Sequence, residues 1–485
     1  MVNICKLVEG TKRYFIYGIA VLGQYCYDMI TEKYGADIVV GFVQTVPQQG
    51  SFCGKRVYDV PQAVKEAKDT DRFLIASAIP EIADAMKANL KEAGISEEAM
   101  IDLDEYSFIA RYVPDRQVKS LLVWPCIKER NKDLTEKIKW FIPDRIQVLV
   151  CCSCKETMSD FRETENVHFI NLRDVEKSLK TADYVAVWNV EEMDESLMPY
   201  RDKIHIIDPN YYYITEITNY RHIYNSGFSV EEKEQFKEHS SEVFKRMCQE
   251  YAHIQKANVF CTGPSIEEIY EKSFVGDFNI ICNSMVKDRA LLQNIAPCLL
   301  AFGDLAFYLS PNGYSRAFYK DLLDTYNKYH YYIVVYDYEV PLIKSHFPML
   351  YDRLIGVECG SAFRFPEEKN ICVGNTPNIC TLFMLPFASA VCEEIGIAGC
   401  TGRSPDESYF WKHNGRAQYL DLMQCVFDAY PSFFRHQDYE GYYEQHCQQM
   451  KKLLEYGESL GKKYRNITTS FIPALAERTA EGEGQ

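Results

Sequence analysis

The chain predicts an α/β protein made of several Rossmann-like parallel sheets, and three observations say so. Short apolar runs of strand length recur along it, helical segments separate them, and several runs end on a glycine turn or a lone polar residue. At 485 residues it is too long for one core, so two or three domains are expected. Strand–helix alternation gives parallel sheets with right-handed crossovers.

The first segment, residues 1–115, opens with Tyr14-Phe-Ile-Tyr-Gly18-Ile-Ala-Val-Leu-Gly23, a strand, a glycine turn and a helix. Ile38–Val43 and Arg72–Ala78 add two buried strands. The glycines form an incomplete dinucleotide fingerprint, because the central glycine is missing and Gln44 stands where an acidic residue would hold a ribose. This segment resembles the small Rossmann-like domain of PglD-type sugar acetyltransferases, in its Ile-Tyr-Gly turn, Val-Gly-Phe-Val strand and Ile-Ala-Ser strand. The resemblance implies a degenerate sugar-nucleotide site or a purely structural module. The second segment, 116–228, carries five strand-like runs at Ser120–Trp124, Ile146–Cys151, Val167–Asn171, Tyr184–Trp188 and Lys203–Asp208, with no phosphate-cradling loop. A charged amphipathic helix, Ser229–Gln255, connects to the third segment, 256–485.

The third segment holds the most informative stretch. Asn258-Val-Phe-Cys-Thr-Gly-Pro-Ser265 reads as a strand, a tight turn and a helix opening at Ser265, with Glu268 completing a capping box. A helix mouth there would offer Gly263, Pro264 and Ser265 to a phosphate. The strand Phe278–Cys282 then ends on Asn283, whose amide both donates and accepts, at the edge where open α/β sheets bind ligands. A capped helix and an ordinary loop residue are the plain alternative. Cys298–Asp304, Tyr331–Asp337 and Glu394–Gly399 follow the same pattern, Asn375-Thr-Pro-Asn378 opens a long apolar helix, and another helix runs from about Tyr439 to Lys463.

These residues resemble the bacterial lipooligosaccharide sialyltransferases and the related motility accessory factors. The match is specific across Gly-Pro-Ser-Ile-Glu-Glu-Ile and Asp277-Phe-Asn-Ile-Ile-Cys-Asn283 and looser to residue 475. It implies a sialyltransferase-like domain that binds a CMP-sugar. Asn378 falls at the family's polar helix opening, Tyr409 at a phosphate-contacting tyrosine, and His446 at the catalytic base. Arg403 stands where the family has another phosphate-contacting tyrosine, Cys400-Thr401 replaces an acidic strand-end motif, and Asp304 replaces an asparagine near the ribose. Aspartate at that position occurs in the wider accessory-factor group.

The function so implied is a metal-independent, inverting glycosyltransferase that uses a CMP-activated, sialic-acid-like sugar to modify a surface glycan or a protein. It needs no cofactor beyond its donor. Asn283, Asp304 and Asn378 would hold the nucleoside, and Gly263–Ser265, Arg403 and Tyr409 the phosphate. His446 would take the acceptor proton, with His436 its main rival and His413 a weaker one. Trp411 and Tyr419 are candidates for an acceptor pocket, and Asp337-Tyr-Glu339 resembles an acidic metal-binding pair. Two rival functions remain: a pyrophosphokinase of the pterin type using ATP and magnesium, and a non-catalytic assembly factor on the same fold.

A formal charge of −16 argues against nucleic acid as a partner. No apolar run reaches membrane-spanning length; Ile379–Val391 is too short, contains a proline and reads as a core helix. Peripheral membrane association and homo-oligomerisation stay open. Eighteen scattered cysteines and no signal-peptide pattern point to a reducing cytoplasm with free thiols. Cys151 and Cys154 form a lone C-x-x-C, for which buried strand-end cysteines are the alternative to zinc.

Overall fold

The computed structural model describes residues 8–19, 21–47, 49–77, 80–102, 117–126, 131–152, 166–187, 197, 199–200, 203–207, 223–403, 414–429 and 439–479. Tyr409, Trp411, His413, His436 and Cys154 lie outside them. The chain divides into two compact units, residues 1–227 and residues 228–429 with 439–485. No helix among the described residues is long and apolar enough to cross a membrane.

The first unit contains two sheets. One has the order β3-β4-β2-β1-β5-β6. Its strands are β1 (Tyr14–Tyr17), β2 (Val39–Val43), β3 (Ser51–Phe52), β4 (Lys55–Tyr58), β5 (Arg72–Ile75) and β6 (Met100–Asp102). The expected parallel strands are present, and a short antiparallel hairpin, β3–β4, is added at one edge. The other sheet has the order β11-β10-β7-β8-β9 and is parallel throughout. Its strands are β7 (Ser120–Cys126), β8 (Gln147–Cys152), β9 (Val167–Asn171), β10 (Tyr184–Val187) and β11 (Ile204–Ile206). All five expected strands are there. Their near-continuous apolar runs suit a sheet covered on both faces.

The second unit is built on one eight-stranded sheet in the order β17-β16-β15-β14-β13-β12-β18-β19. These are β12 (Lys256–Phe260), β13 (Phe278–Cys282), β14 (Leu299–Ala301), β15 (Tyr332–Tyr336), β16 (Leu354–Gly360), β17 (Cys372–Gly374), β18 (Glu394–Ala398) and β19 (Lys463–Asn466). Every pairing is parallel. All strand C-termini therefore lie on one edge. The chain walks outward from β12 to β17, then returns to place β18 on the opposite side of β12. The strand order thus reverses between β12 and β18, the position where doubly wound sheets leave a ligand crevice.

The segment read as a connector belongs to this unit's own core. Ser229 caps the helix Val230–Glu250 with a complete capping box to Glu232. Its buried Val243, Phe244 and Met247 pack in one cluster with Ala257, Val259 and Phe387. The polar centre of the sheet is equally fixed: Asn258 Nδ2 donates to Asp277 Oδ2 and Asn279 Oδ1, both at 2.9 Å. Buried amides that are paired in this way specify the β12–β13 register.

The switch point needs glycine. Gly399 has φ +70, and a Cβ there would stand 2.2 Å from the Cys261 carbonyl oxygen. Gly399→Ala is expected to destabilise the second unit by about 2–4 kcal/mol, combining backbone strain with a clash that backbone atoms cannot relieve. Gly461→Ala, left-handed as well but facing open space, costs about 1 kcal/mol. Denaturant titration of the two variants separates these cases, and equal losses would refute the clash.

Candidate functional site

The carboxyl edge of the eight-stranded sheet gathers most of the predicted site. Along it, following the strand order, come Asp304 after β14, Asn283 after β13, Gly263–Ser265 after β12, and Arg403 after β18. The turn leading into Asn378 and its helix closes over the β15 end, where Phe383 packs against Tyr336 at 5.1 Å between rings.

Asn283 has φ 51, a left-handed backbone that is rare outside glycine and costs of order 1 kcal/mol. It is half-buried, and its side-chain amide has no hydrogen-bond partner among the described residues. The next residue anchors the position. Ser284 Oγ donates to the Ala417 carbonyl at 2.6 Å and receives Tyr314 OH at 3.1 Å. Asn414 is tied to the same edge, its N–H donating to the Thr262 carbonyl at 2.7 Å and its Nδ2 to Glu267 Oε1 at 3.1 Å. Left-handed residues collect at functional sites, so Asn283, with its amide unpartnered among the described residues, is a candidate binding position.

Asp304 caps the short helix Leu305–Tyr308 by accepting the Ala306 N–H at 3.0 Å. Burial pushes its carboxyl up to about 6, against the opposing effect of its bonds to the Ala306 and Phe307 amides. Asn378 Oδ1 accepts the Cys380 N–H at 2.9 Å, which leaves its NH2 group without a partner among the described residues. The long apolar helix is broken in character: a π turn spans Cys380–Met384, and α geometry runs only over Leu385–Val391. Pro386 supplies no N–H, so the ladder cannot keep one register through it. Arg403 donates its backbone N–H to Tyr443 OH at 3.1 Å and lays its guanidinium over the Tyr443 ring at 5.2 Å.

Four expectations are corrected. No capping box forms at Ser265. Gly263 is the N-cap of a six-residue 3₁₀ turn, Pro264–Ile269, and Glu268 accepts instead the Thr469 N–H at 3.0 Å. The turn's amides are also engaged. Gly263 N–H bonds the Gly399 carbonyl at 2.8 Å, and Ser265 N–H bonds Thr401 Oγ1 at 2.9 Å, while Ser265 Oγ meets the hydroxyls of Thr401 and Thr468. The corner is closed by hydroxyls, and a short turn of this kind presents no phosphate cradle in this conformation.

The second correction is His446. It is fully buried at 0 % exposure, on the helix Tyr439–Ser459. Tyr443, His446, Met450, Leu453 and Leu454 form one buried stripe at helical spacing. The surrounding glutamines hid that stripe, and an imidazole enclosed this way cannot meet an acceptor hydroxyl. Third, Asp337–Glu339 is a 3₁₀ turn in which Glu339, 1 % exposed, accepts the Tyr336 N–H at 3.2 Å, so it caps a turn rather than facing a ligand. Tyr419, 6 % exposed, donates to Asp321 Oδ2 at 2.6 Å and packs in the core.

One cluster has no counterpart in the sequence reading. The Sγ atoms of Cys261, Cys380 and Cys400 all lie within 4.8 Å of one another. The Cys261 and Cys380 thiols, with the adjoining His446 imidazole, hold the Cys400 thiol well below its ordinary value, against burial that pushes it up. The three cysteines stand far apart in the chain, in no recognisable spacing.

No family model matches this chain, and no curated protein does. Among solved structures, histidinol dehydrogenase from Elizabethkingia anophelis aligns at 10% identity over 40% of this chain and 52% of its own, about half its length, with a TM-score of 0.17.

A raised carboxyl favours the protonated folded state. The stability that Asp304 lends is therefore complete below the unfolded value near 3.8 and is lost as pH rises through about 6. Asp304→Asn keeps the helix cap, so at pH 7 and above it should be more stable than wild type by about 1–2 kcal/mol, a figure reduced for half-exposure. The gap should vanish near pH 4. Urea midpoints across this range check it, and a pH-independent gap refutes the buried-acid account.

Proposed function

We propose that the second unit is a glycosyltransferase that uses a CMP-activated sugar, with the nucleotide held at the carboxyl edge of the eight-stranded sheet. The observation that carries this reading is Asn283, a strained strand-end residue with a free amide beside the β12–β18 reversal. Its amide donates and accepts, as a pyrimidine or ribose edge requires. The NH2 group of Asn378 adds a donor.

In the reaction, the acceptor hydroxyl oxygen attacks the anomeric carbon and the bond from that carbon to the CMP phosphate oxygen breaks, with inversion. The hydroxyl proton passes to a base and CMP leaves as the anion. Asp304 serves as that base, since its carboxyl titrates near 6 at this edge and His446 is enclosed. Arg403 offsets the charge gained by the leaving phosphate. The acceptor is a surface glycan or a protein side chain.

One observation favours a second reading. The Gly263 and Ser265 amides are already satisfied within the protein, which suits an assembly factor that kept the fold without its chemistry.

A thermal-shift series with CMP, CDP, UDP and ATP, the last with magnesium, separates the readings. CMP at a hundredfold excess over its dissociation constant should stabilise the second unit by about 2.7 kcal/mol. Asn283→Gly relaxes the backbone and removes the amide, and it should weaken CMP binding about tenfold or more. A response to magnesium-ATP alone would support a pyrophosphokinase. No response to any nucleotide would support the assembly factor.

A further inference from the structure

We infer that Cys261, Cys380, Cys400 and His446 form a zinc site inside the second unit. It involves none of the residues proposed above to bind nucleotide or acceptor.

The geometry suits one ion. Zinc takes four ligands tetrahedrally at about 2.3 Å from sulfur, which puts the sulfurs roughly 3.8 Å apart. The three thiols already lie within 4.8 Å of one another, so sub-ångström adjustments complete the arrangement. A cubane cluster needs wider sulfur separations, because its ligands bind different irons. The fourth position falls to His446, whose imidazole adjoins Cys400.

Each ligand is delivered by a rigid element. Cys261 follows β12 and donates its N–H to the Ala398 carbonyl at 2.8 Å, and Cys400 follows β18 on the neighbouring strand. Cys380 opens the π turn, and such turns commonly swing one residue of a helix towards a site. His446 projects from the middle of the helix Tyr439–Ser459. All four are at most 8 % exposed, the closed surroundings of a structural rather than a catalytic metal.

Buried cysteines often act merely as small apolar side chains. That account covers Cys26 or Cys298, each packed without two further thiols and a histidine. It does not explain an imidazole at 0 % exposure beside Cys400, itself one of three clustered thiols. Neutral imidazole and thiolates are what zinc requires, and binding balances as one Zn²⁺ displacing three thiol protons, with the histidine bound neutral and the site carrying one net negative charge.

The site also has a structural consequence. Cys261 and Cys400 immediately precede the Thr262–Gly263 and Thr401–Gly402 turns, so the ion would pin together the two strand ends at the reversal point.

The full chain, purified without chelator, should contain about one zinc per molecule by plasma mass spectrometry. Exchange for cobalt should produce sulfur-to-cobalt charge-transfer and intense tetrahedral ligand-field bands. Cys400→Ser and His446→Gln should each lose most of the zinc, and Cys425→Ser, outside the cluster, should keep it. If the ligand variants fail to fold, the cobalt spectrum of the wild type and proton release on adding zinc to chelator-treated protein decide alone. Wild type without zinc and without cobalt charge transfer overturns the proposal. So does full zinc in both ligand variants, or a Cys261–Cys400 or Cys261–Cys380 disulfide found in freshly purified protein.

Discussion

The pairing of β12 with β18 is the constraint on which the second unit depends. Here the chain, having walked outward through five further strands, must return beside its starting strand with its C-terminus on the same edge. Five residue pairs from Lys256–Glu394 to Phe260–Ala398 set the register. Beyond them the contact continues in turn structure, through Cys261 N–H to Ala398 O and Gly263 N–H to Gly399 O. The backbones come close enough that Gly399 has no room for a side chain. Gly399 N–H then reaches across to Thr468 Oγ1 at 2.9 Å, drawing the segment after β19 onto the same corner.

That closeness explains why the corner is filled by hydroxyls. Once the β12 and β18 ends are tied together, Thr401 and Thr468 stand beside Ser265, and three short side chains satisfy one another and the Ser265 amide. The half-buried polar residues of the edge lie one and two strands further along, at Asn283 and Asp304. There, Ser284 Oγ donates to the Ala417 carbonyl and supports the backbone beside Asn283. A ligand is therefore better served by side chains at β13 and β14 than by the helix mouth at β12. Arg403, laid over Tyr443, stands on the β18 side of the same edge.

The sheets were legible in the sequence because their strands are short continuous apolar runs bounded by turn residues, the pattern of strands in a covered parallel sheet. Phe278–Cys282 was located to the residue. β16 and β17 escaped: Leu354-Ile-Gly-Val-Glu-Cys-Gly mixes charge and glycine into the run, and Cys372–Gly374 is three residues long. The places of Asn283 and Asp304 just past strand ends, and of Asn378 at a helix opening, were legible because position along the chain alone decides them. It was misread where a residue's neighbours come from distant chain. Ser265 and Glu268 have capping-box spacing, but Thr401 engages Ser265 and the Thr469 N–H engages Glu268, so neither turns to the other. His446 sits among glutamines in the sequence but buried beside Cys400 in space, because only one face of its helix is buried. The thiol trio leaves no trace in spacing at all, since its members meet only after the β12–β18 reversal forms.

The two proposals for this unit meet at that reversal. The proposed roles of Asn283 in nucleotide recognition and of Asp304 as base would require β13 and β14 to hold their ends in fixed register with β12, whose own end carries Cys261. An ion binding Cys261 and Cys400 would lock β12 to β18 from inside the core, on the apolar side of the Gly263–Ser265 turn. Cys380, two residues beyond Asn378, would extend the same lock to the helix that closes over the edge. The left-handed strain at Asn283 must be offset by surrounding structure that does not yield. A buried metal tying three separate chain crossings supplies rigidity where the polar groups of the edge, being partly exposed, supply little. Such a metal would contribute to ligand binding only through position, by fixing where Asn283 and Asn378 stand, and would take no part in bond making or breaking.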